Sequence, residues 1–323
     1  MSPKVSIVIP AYNTERYISK AIETALSQTL KEIEVLVVDD ASTDNTLDVV
    51  RRFNDERIRI LASPHKTNQG VCNARNRGAQ EACGDWIAIL DSDDWYEDNR
   101  LDKLMGFSAD FPIYDLIADN LKFVSHDGNI LPETLLSARR QEVETFMDID
   151  AKSLLQENFR NDNLHISVVK PIIRRRFIID NGVSYNEEVG ASDDYFFYLS
   201  CLVDGARMAV LSDPLYYYRL RRPGSITTTS IRSLSHFSGC KKGTELFINN
   251  SKVRESKPEL LPLLERSLME IDDQLLYHHF AQSLKDKQLR ASITLAFTHP
   301  KLISIFLKRL PSIMKYRLGI KTY

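Results

Sequence analysis

Three carboxylates stand within four consecutive positions, Asp91-Ser92-Asp93-Asp94. They directly follow the apolar run 86–90 (WIAIL), which predicts a buried β-strand. If residues 91–93 continue that strand, Asp91 and Asp93 project to the same side of it. With no histidine or cysteine adjacent to them, these oxygen ligands suit Mg²⁺ or Mn²⁺. A solvated acidic turn that caps the next helix explains this motif alone equally well.

A second acidic pair, Asp39-Asp40, follows the apolar run 34–38 (EVLVV). In a nucleotide-binding α/β fold, a carboxylate at this point can accept a hydrogen bond from a ribose hydroxyl or a base N–H. The competing interpretation is that the pair caps the following helix, and this is the favoured one when the motif is taken alone.

Two further segments hold residues that suit an anionic substrate. In 68–78 (NQGVCNARNRG), Gly70 permits close backbone approach, and Arg75 near a helix N-terminus favours an anion. A glycine turn with surface arginines is the alternative there. Asp193 and Asp194 lie at the start of a predicted helix, where acidic side chains interact favourably with the helix dipole. This structural role is compatible with a chemical role for one of the two.

An alternation of strands and helices positions these polar segments. The first hundred residues predict strands over 5–9, 34–38, 58–61 and 86–90, and helices over 15–29, from an N-cap at Ser42 or Thr43 to Phe53, and over 70–82. Buried strands that alternate with helices predict an α/β fold with a mostly parallel sheet. Because the polar clusters PAYN, DDASTD and DSDD follow the carboxyl ends of strands, where such sheets bind ligands, we expect them to meet at one edge.

The pattern changes after residue 101. We predict a strand over 115–125, helices over 148–158, 171–180 and 193–203, a strand over 215–219, and mainly helix beyond residue 231. A helix stop is expected at Gly182, because glycine accepts a positive φ.

Composition excludes some classes of protein. The 323 residues include 42 basic and 44 acidic side chains, so a net charge of −2 argues against a generic polyanion-binding protein, and no nucleic-acid partner is expected. The four cysteines form no CxxC pair, which indicates a reducing compartment. No apolar run approaches the length of a membrane span, so we expect a cytoplasmic protein.

The charge is unevenly distributed, because the residues after Asp286 include eight Lys or Arg and no acid. The tail 299–323 combines six of these charges with many apolar residues. It suits contact with an anionic membrane surface at the cytoplasmic face of the inner membrane. Packing on the protein body, or on a second subunit of a homodimer, is the alternative.

Several motifs in order resemble bacterial glycosyltransferase family 2 enzymes with the GT-A fold. The resemblance covers residues 4–230. It rests on PAYN, DDASTD, NQGVCNARNRG, LDSDD, KPIIRRRFIIDNG with VSYNEEVGASDDYFF, and LYYYRLRRPGSITT. Cytosolic transferases of exopolysaccharide assembly, including the succinoglycan type, are the members it resembles most. The resemblance implies a Rossmann-like nucleotide-sugar-binding half (1–100) and an acceptor-binding half (101–230). The helical pattern beyond these residues predicts a helical C-terminal region (231–323).

The resemblance also implies roles for individual residues. The expected nucleotide-binding residues are Pro10, Tyr12, Asn13, Glu15, Asp40 and Arg75. Asp40 is expected to contact the edge of the uracil ring. Asp91 would contact the ribose or the metal, and Asp93 would be the main Mg²⁺ or Mn²⁺ ligand. Asp194 matches the catalytic base, with Asp193 where the family usually has glutamate. Arg221 and Arg222 stand where many relatives have a histidine after the arginine, and we expect them to contact the diphosphate.

The implied function is inverting transfer of a sugar, expected to be glucose, from a UDP-sugar to a lipid-linked oligosaccharide in exopolysaccharide biosynthesis. A non-catalytic module that binds nucleotide sugars is the alternative, because the base assignment rests on a single segment.

Overall fold

A computed structural model of the chain describes residues 2–159, 165–190, 192–220 and 233–286, together with 298, 299 and 302. The strands are Val5–Ala11 (β1), Ile33–Asp39 (β2), Ile58–Leu61 (β3), Trp86–Ile89 (β4), Trp95–Tyr96 (β5), Leu116–Val124 (β6), Ile130–Thr134 (β7), Phe146–Ile149 (β8), Ile172–Arg174 (β9) and Met208–Arg219 (β10). The α-helices are Ile18–Leu26 (α1), Thr46–Arg51 (α2), Val71–Glu81 (α3), Arg100–Asp110 (α4), Leu135–Ala138 (α5), Ala151–Gln156 (α6), Arg175–Asn181 (α7), Asp193–Val203 (α8), Leu234–Ile248 (α9), Ser251–Ser256 (α10) and Leu261–Lys285 (α11).

All ten strands belong to one sheet, whose main path runs β3-β2-β1-β4-β9-β6-β10-β5. The strands β1 to β4 pair in parallel, and so do β6 and β10. The strand β9 lies antiparallel between β4 and β6 and thereby joins the two parallel groups. The α/β class and the mostly parallel sheet flanked by helices are confirmed. The division at residue 100 stays a prediction, and strands from both sides of it share this sheet.

The central strands are buried on both faces, which is why they read as continuous apolar runs. On one face, α1 buries Ile18 and Ile22 against Ile7 and Ile9 of β1. On the other face α3 lies very close to β1. A Cβ at Gly78 would stand 2.3 Å from a Val8 methyl group. Glycine therefore allows α3 to approach the sheet, and α3 is the helix that holds the site arginine described below.

Two local predictions were wrong. Residues 171–180 do not form one helix, because 172–174 pair as β9 with strands on both sides before α7 begins. The helix after β2 does not start at Ser42 or Thr43. It starts at Thr46, whose N–H donates to the Asp44 carboxylate over 2.9 Å. By contrast, the helix stop at Gly182 is confirmed, with φ of 63°.

The helical C-terminal part is confirmed over the residues that the structure describes. The helix α9 packs on α8 at Gly243, where a Cβ would stand 2.5 Å from the Phe196 ring. In this way α9 supports the helix that begins with Asp193 and Asp194. None of the helices in the described ranges has both the length and the apolar character needed to cross a bilayer. The basic tail falls almost entirely outside these ranges, so the predictions for it stay predictions.

Candidate functional site

The loop after β1 begins with two residues predicted to line a nucleotide pocket. Pro10 is buried near the end of β1. The pairing of β1 with β4 ends at Val8 and Ile89, before Pro10 is reached. Proline has no backbone N–H to donate, and at this position the β1–β4 pairing does not require one. Tyr12 is 43% exposed, so its ring is accessible to a planar ligand at this edge of the sheet.

Asn13 and Glu15 tie this loop to the loop after β2. The Asn13 side-chain oxygen accepts a hydrogen bond from the Thr43 N–H over 2.8 Å. The Glu15 carboxylate accepts from both the backbone N–H and the side-chain amide of Asn45, at 3.0 and 2.8 Å. The side chains predicted to meet the nucleotide therefore also shape the loops around it, and their contact with a nucleotide stays a prediction.

Asp40 is buried and connects β2 to the start of α3. Its carboxylate accepts from the N–H groups of Gln69 and Gly70, the latter over 2.7 Å, and Gly70 has a φ of 98° that suits glycine. Asp40 thus holds the N-terminus of α3 rather than that of α2. Its neighbour Asp39 accepts from the Ser42 N–H with one oxygen, and its other oxygen is buried with no partner. The predicted uracil contact of Asp40 stays a prediction.

Residues 91–94 form a tight turn rather than continuing β4, because the Asp94 N–H donates to the Asp91 carbonyl over 3.0 Å. The premise that Asp91 and Asp93 project to the same side of a strand was therefore wrong. The Asp94 carboxylate is buried and accepts from the Tyr216 hydroxyl and the Arg219 N–H, both at 2.8 Å. Burial, together with the charges of Asp93 and Asp91, raises the pKa of Asp94 well above its ordinary value.

Arg75 lies at the centre of the site and pairs with three carboxylates. One of its terminal nitrogens, Nη2, is 2.8 Å from Asp91 Oδ1. The other, Nη1, contacts Asp194 Oδ1 at 3.0 Å and also Asp193 Oδ2. Only 4% of the arginine side chain is exposed. The structure therefore brings Asp91, from the first hundred residues, together with Asp193 and Asp194, which follow more than a hundred residues later.

A second buried cation, Lys170, contacts two of the same carboxylates. Its Nζ is 2.9 Å from Asp91 Oδ2 and also pairs with Asp194 Oδ2. Each of the two carboxylates thus uses one oxygen for Arg75 and the other for Lys170. Asp91, Arg75, Asp194 and Lys170 form a closed ring of alternating charge, which we call the ion-pair ring.

The environment shifts the acids of the ring in opposite directions. Burial acts to raise the pKa of Asp91, but Lys170 and Arg75 together hold that pKa well below its ordinary value. Burial raises the pKa of Asp194 above its ordinary value, although Arg75 and Lys170 oppose the rise. Asp91 therefore stays a carboxylate, and Asp194 becomes the more basic of the two.

Two cations at this edge, Lys170 and Arg219, were not among the site residues predicted from the sequence. Lys170 interrupts the apolar run VVKPII, and a lone lysine there is the available signal. Arg219 ends β10 and donates from Nε to the Asp93 carbonyl over 3.0 Å. Its guanidinium lies 5.1 and 5.2 Å from the ring centres of Tyr17 and Trp95. Arg221 and Arg222, the residues assigned to the diphosphate, lie outside the described residues.

The acids at this edge fit a divalent cation by their chemistry. Within the part of the chain that the structure describes, no three His, Cys, Asp or Glu side chains converge as a complete ligand set. However, among the described residues five aspartates and three cations lie at this edge, and burial together with the charges of Asp93 and Asp91 raises the pKa of Asp94. The five are Asp91, Asp93, Asp94, Asp193 and Asp194, and the cations are Arg75, Lys170 and Arg219. Oxygen ligands with open positions suit Mg²⁺ or Mn²⁺ completed by substrate phosphates.

The sheet and its acidic edge define an α/β protein with a candidate ligand site at the carboxyl ends of its strands, and comparison with known proteins identifies the family. Residues 6–126 match the family described as "Glycosyl transferase family 2". The succinoglycan biosynthesis protein ExoO of Rhizobium meliloti (strain 1021) is 34% identical over 248 residues, which are 76% of this chain and 68% of that protein. The chain therefore belongs to glycosyltransferase family 2.

Solved structures support the fold. The crystal structure of S. aureus TarS 1–349 in complex with UDP-GlcNAc matches with a TM-score of 0.62 and 20% identity, over 92% of each chain. The mannosyltransferase PcManGT from Pyrobaculum calidifontis, in complex with GDP-Man and Mn²⁺, matches with a TM-score of 0.54 and 18% identity, over 96% of this chain and 88% of that one. The GT-A-like fold and the family resemblance are confirmed.

Replacing Arg75 should destabilise the protein strongly. The substitution Arg75→Met leaves three acids without their shared cation, and breaking such a buried pair costs about 3–5 kcal/mol. The free energy of unfolding from urea titrations measures the loss. Arg51→Met is the control, because Arg51 is 62% exposed in a surface pair with Asp48, and such a change costs less than about 0.5 kcal/mol. A loss for Arg75→Met as small as that of the control contradicts the central role of Arg75.

Proposed function

We propose that the protein transfers a sugar from a UDP-sugar to a hydroxyl group of a growing oligosaccharide, with inversion at the anomeric carbon. The observation that carries the proposal is the ion-pair ring, which holds Asp91 at the end of β4 opposite Asp194 at the start of α8. The relative ExoO is named for succinoglycan biosynthesis, and the TarS structure binds UDP-GlcNAc. These relatives support a hexosyl donor, for which we propose glucose, and a lipid-linked acceptor in exopolysaccharide assembly.

In this reaction Asp194 acts as the general base. The acceptor hydroxyl is a poor nucleophile until a carboxylate accepts its proton, and such assistance contributes about 10²–10⁴-fold. Burial supports the assignment because it raises the pKa of Asp194 above its ordinary value and so strengthens the base. One base on the face opposite the leaving group leads to a single displacement, so an α-linked donor gives a β-linked product.

The departing diphosphate needs positive charge beside it. We propose that Asp93 and Asp91 hold a Mg²⁺ or Mn²⁺ ion, which neutralises the leaving group as a Lewis acid when bound. Arg219 supports the same role, since its guanidinium is fixed beside the Asp93 carbonyl and between two aromatic rings. We propose that Arg221 and Arg222, which follow it closely in the chain, add to this charge.

Replacing the proposed base should stop transfer but spare nucleotide binding. We expect Asp194→Asn to lower kcat by at least about 10²-fold, because the amide cannot accept the proton. UDP release from a panel of UDP-sugars, with acceptor present, measures transfer, and calorimetry measures UDP binding. Asp204→Asn is the control, since Asp204 follows the opposite end of α8 and pairs with Lys252. Transfer by Asp194→Asn at the unmodified rate removes the assignment.

Metal dependence has its own test. We expect a chelator to abolish transfer and Mn²⁺ or Mg²⁺ to restore it, because the leaving diphosphate then regains its counter-charge. In Asp93→Asn, the Mn²⁺ concentration needed for half-maximal transfer should rise about tenfold or more. Equal transfer rates with and without chelator contradict the proposed metal ion.

The basic tail supports a further part of the proposal, a peripheral position at the cytoplasmic face of the inner membrane. Six Lys or Arg within residues 299–323 provide about 1 kcal/mol each near an anionic surface, enough for reversible docking beside a lipid-linked acceptor. Truncation after Ala296 should reduce co-sedimentation with anionic liposomes. Unchanged co-sedimentation contradicts membrane docking, and a change in oligomeric state instead assigns the tail to a homodimer contact.

A further inference from the structure

Lys170 is a buried lysine to which the proposed reaction gives no chemical step. Its side chain is only 4% exposed, and it lies between Val169 and Pro171 at the start of the segment that becomes β9. An unpaired ammonium is costly to bury, so lysine at such a position requires partners for its charge. The partners are the two acids of the ion-pair ring, Asp91 and Asp194.

The backbone around Lys170 is held from two directions. The Tyr198 hydroxyl, from α8, donates to the Val169 carbonyl over 2.9 Å. Arg100, from α4, donates to the Lys170 carbonyl itself. In addition, Pro171 restricts the preceding residue to extended conformations. The ammonium therefore extends from a backbone that has little freedom to move.

Arg100 is itself part of a fully buried pair behind the site. Its side chain and that of Asp119, on β6, are both 0% exposed, and Arg100 Nε lies 2.9 Å from Asp119 Oδ1. The guanidinium also lies 4.3 Å from the centre of the Tyr96 ring. The pair connects the sheet to the Lys170 backbone, so contacts within the core hold this backbone in place.

Lys170 compensates part of the negative charge at this edge, and its contacts also constrain the geometry of the two acids. Arg75 already contacts both Asp91 and Asp194, each through one carboxylate oxygen. Lys170 takes the second oxygen of each, which fixes how far apart the two carboxylates stand and how each one is rotated. Asp91 belongs to the proposed donor side and Asp194 to the proposed acceptor side. Lys170 is thus the second cation, after Arg75, that joins the donor-side and acceptor-side carboxylates.

We propose that Lys170 is a positioning residue. It holds the Asp194 carboxylate at a fixed distance and orientation relative to Asp91, so that the acceptor hydroxyl is placed next to the anomeric carbon. The inference rests on the proposed function, because it concerns the step that the function assigns to Asp194. A displacement of about 1 Å in such an arrangement can lower the rate about 100-fold without loss of substrate binding.

The test compares the unmodified protein with Lys170→Met, Lys170→Arg and a control, Lys122→Met. Lys122 is a partly buried lysine that pairs with Glu97 at 2.6 Å, away from the ion-pair ring. We expect Lys170→Met to lower kcat about 100-fold and to change the UDP dissociation constant, measured with Mg²⁺ present, less than about threefold. Lys170→Arg keeps a buried cation, so its kcat should be at least about tenfold higher than that of Lys170→Met. The kcat of the control should stay within about twofold of that of the unmodified protein.

A purely structural role predicts a different result. In that case Lys170→Met and Lys170→Arg lose thermal stability, UDP binding and kcat together, and this outcome overturns the proposal. A kcat for Lys170→Met within about threefold of the unmodified protein overturns it as well. If Lys170→Met does not fold, Lys170→Gln, which keeps a polar group, takes its place under the same criteria.

A crystal structure of the Lys170→Met protein gives a readout that needs no turnover. The Asp194 carboxylate should rotate away from its position opposite Asp91, while α8 and the sheet superpose on the unmodified protein. An unchanged Asp194 carboxylate overturns the proposal. A different result is that the unmodified protein transfers sugar from none of the donors. This result counts against the proposed function, and the position of the Asp194 carboxylate in the crystal structure then decides the role of Lys170.

Discussion

The buried guanidinium of Arg75 is the interaction on which the site depends. It pairs with Asp91 at the end of β4 and with Asp193 and Asp194 at the start of α8. Three acids at one point in a protein interior repel one another, and Arg75, together with Lys170, offsets this repulsion. Without Arg75, Asp193 would lose this cation and, of the described cations, only Lys170 would join Asp91 to Asp194.

The rest of the fold serves to place this arginine. The Asp40 carboxylate accepts from the two N–H groups just before α3, and Gly78 lets this helix lie directly on β1. Arg75 is between these two points. Next to it, Asn76 exchanges two hydrogen bonds with the backbone of Tyr185, which fixes the loop leading to α8. Each of these hydrogen bonds joins parts of the chain that are far apart in sequence, so the geometry of the site depends on the fold as a whole.

The sequence was informative where local chemistry determines the outcome. The runs that became β1, β2 and β4 are buried, and the polar residues that follow them therefore meet at one edge, which is how the acids could be predicted to converge. The pair Asp193-Asp194 could be placed on a helix N-terminus for the same kind of reason. The motifs then indicated the family, which the comparison with ExoO confirmed.

Features decided by tertiary contacts could not be predicted. The turn at 91–94 depends on the buried Asp94, which needs the Tyr216 hydroxyl from β10 as its partner. The strand β9 forms because β4 and β6 offer it hydrogen bonds on both sides, although its residues also suit a helix. Lys170 carries a weak local signal, and its two acid partners come from other elements of the fold. Long-range pairing of charges is invisible in a local pattern.

A crystal structure of the protein with bound UDP tests the central claim most directly. The account predicts that the uracil ring lies by the loops after β1 and β2 and that the diphosphate reaches Asp93 and Arg219, with Asp194 facing the open side of the site. The opposite edge of the sheet has a groove of about 470 Å³ lined by Trp86 and by Arg174, Arg175 and Arg176. UDP bound in that groove, with the ion-pair ring left untouched, would contradict the account.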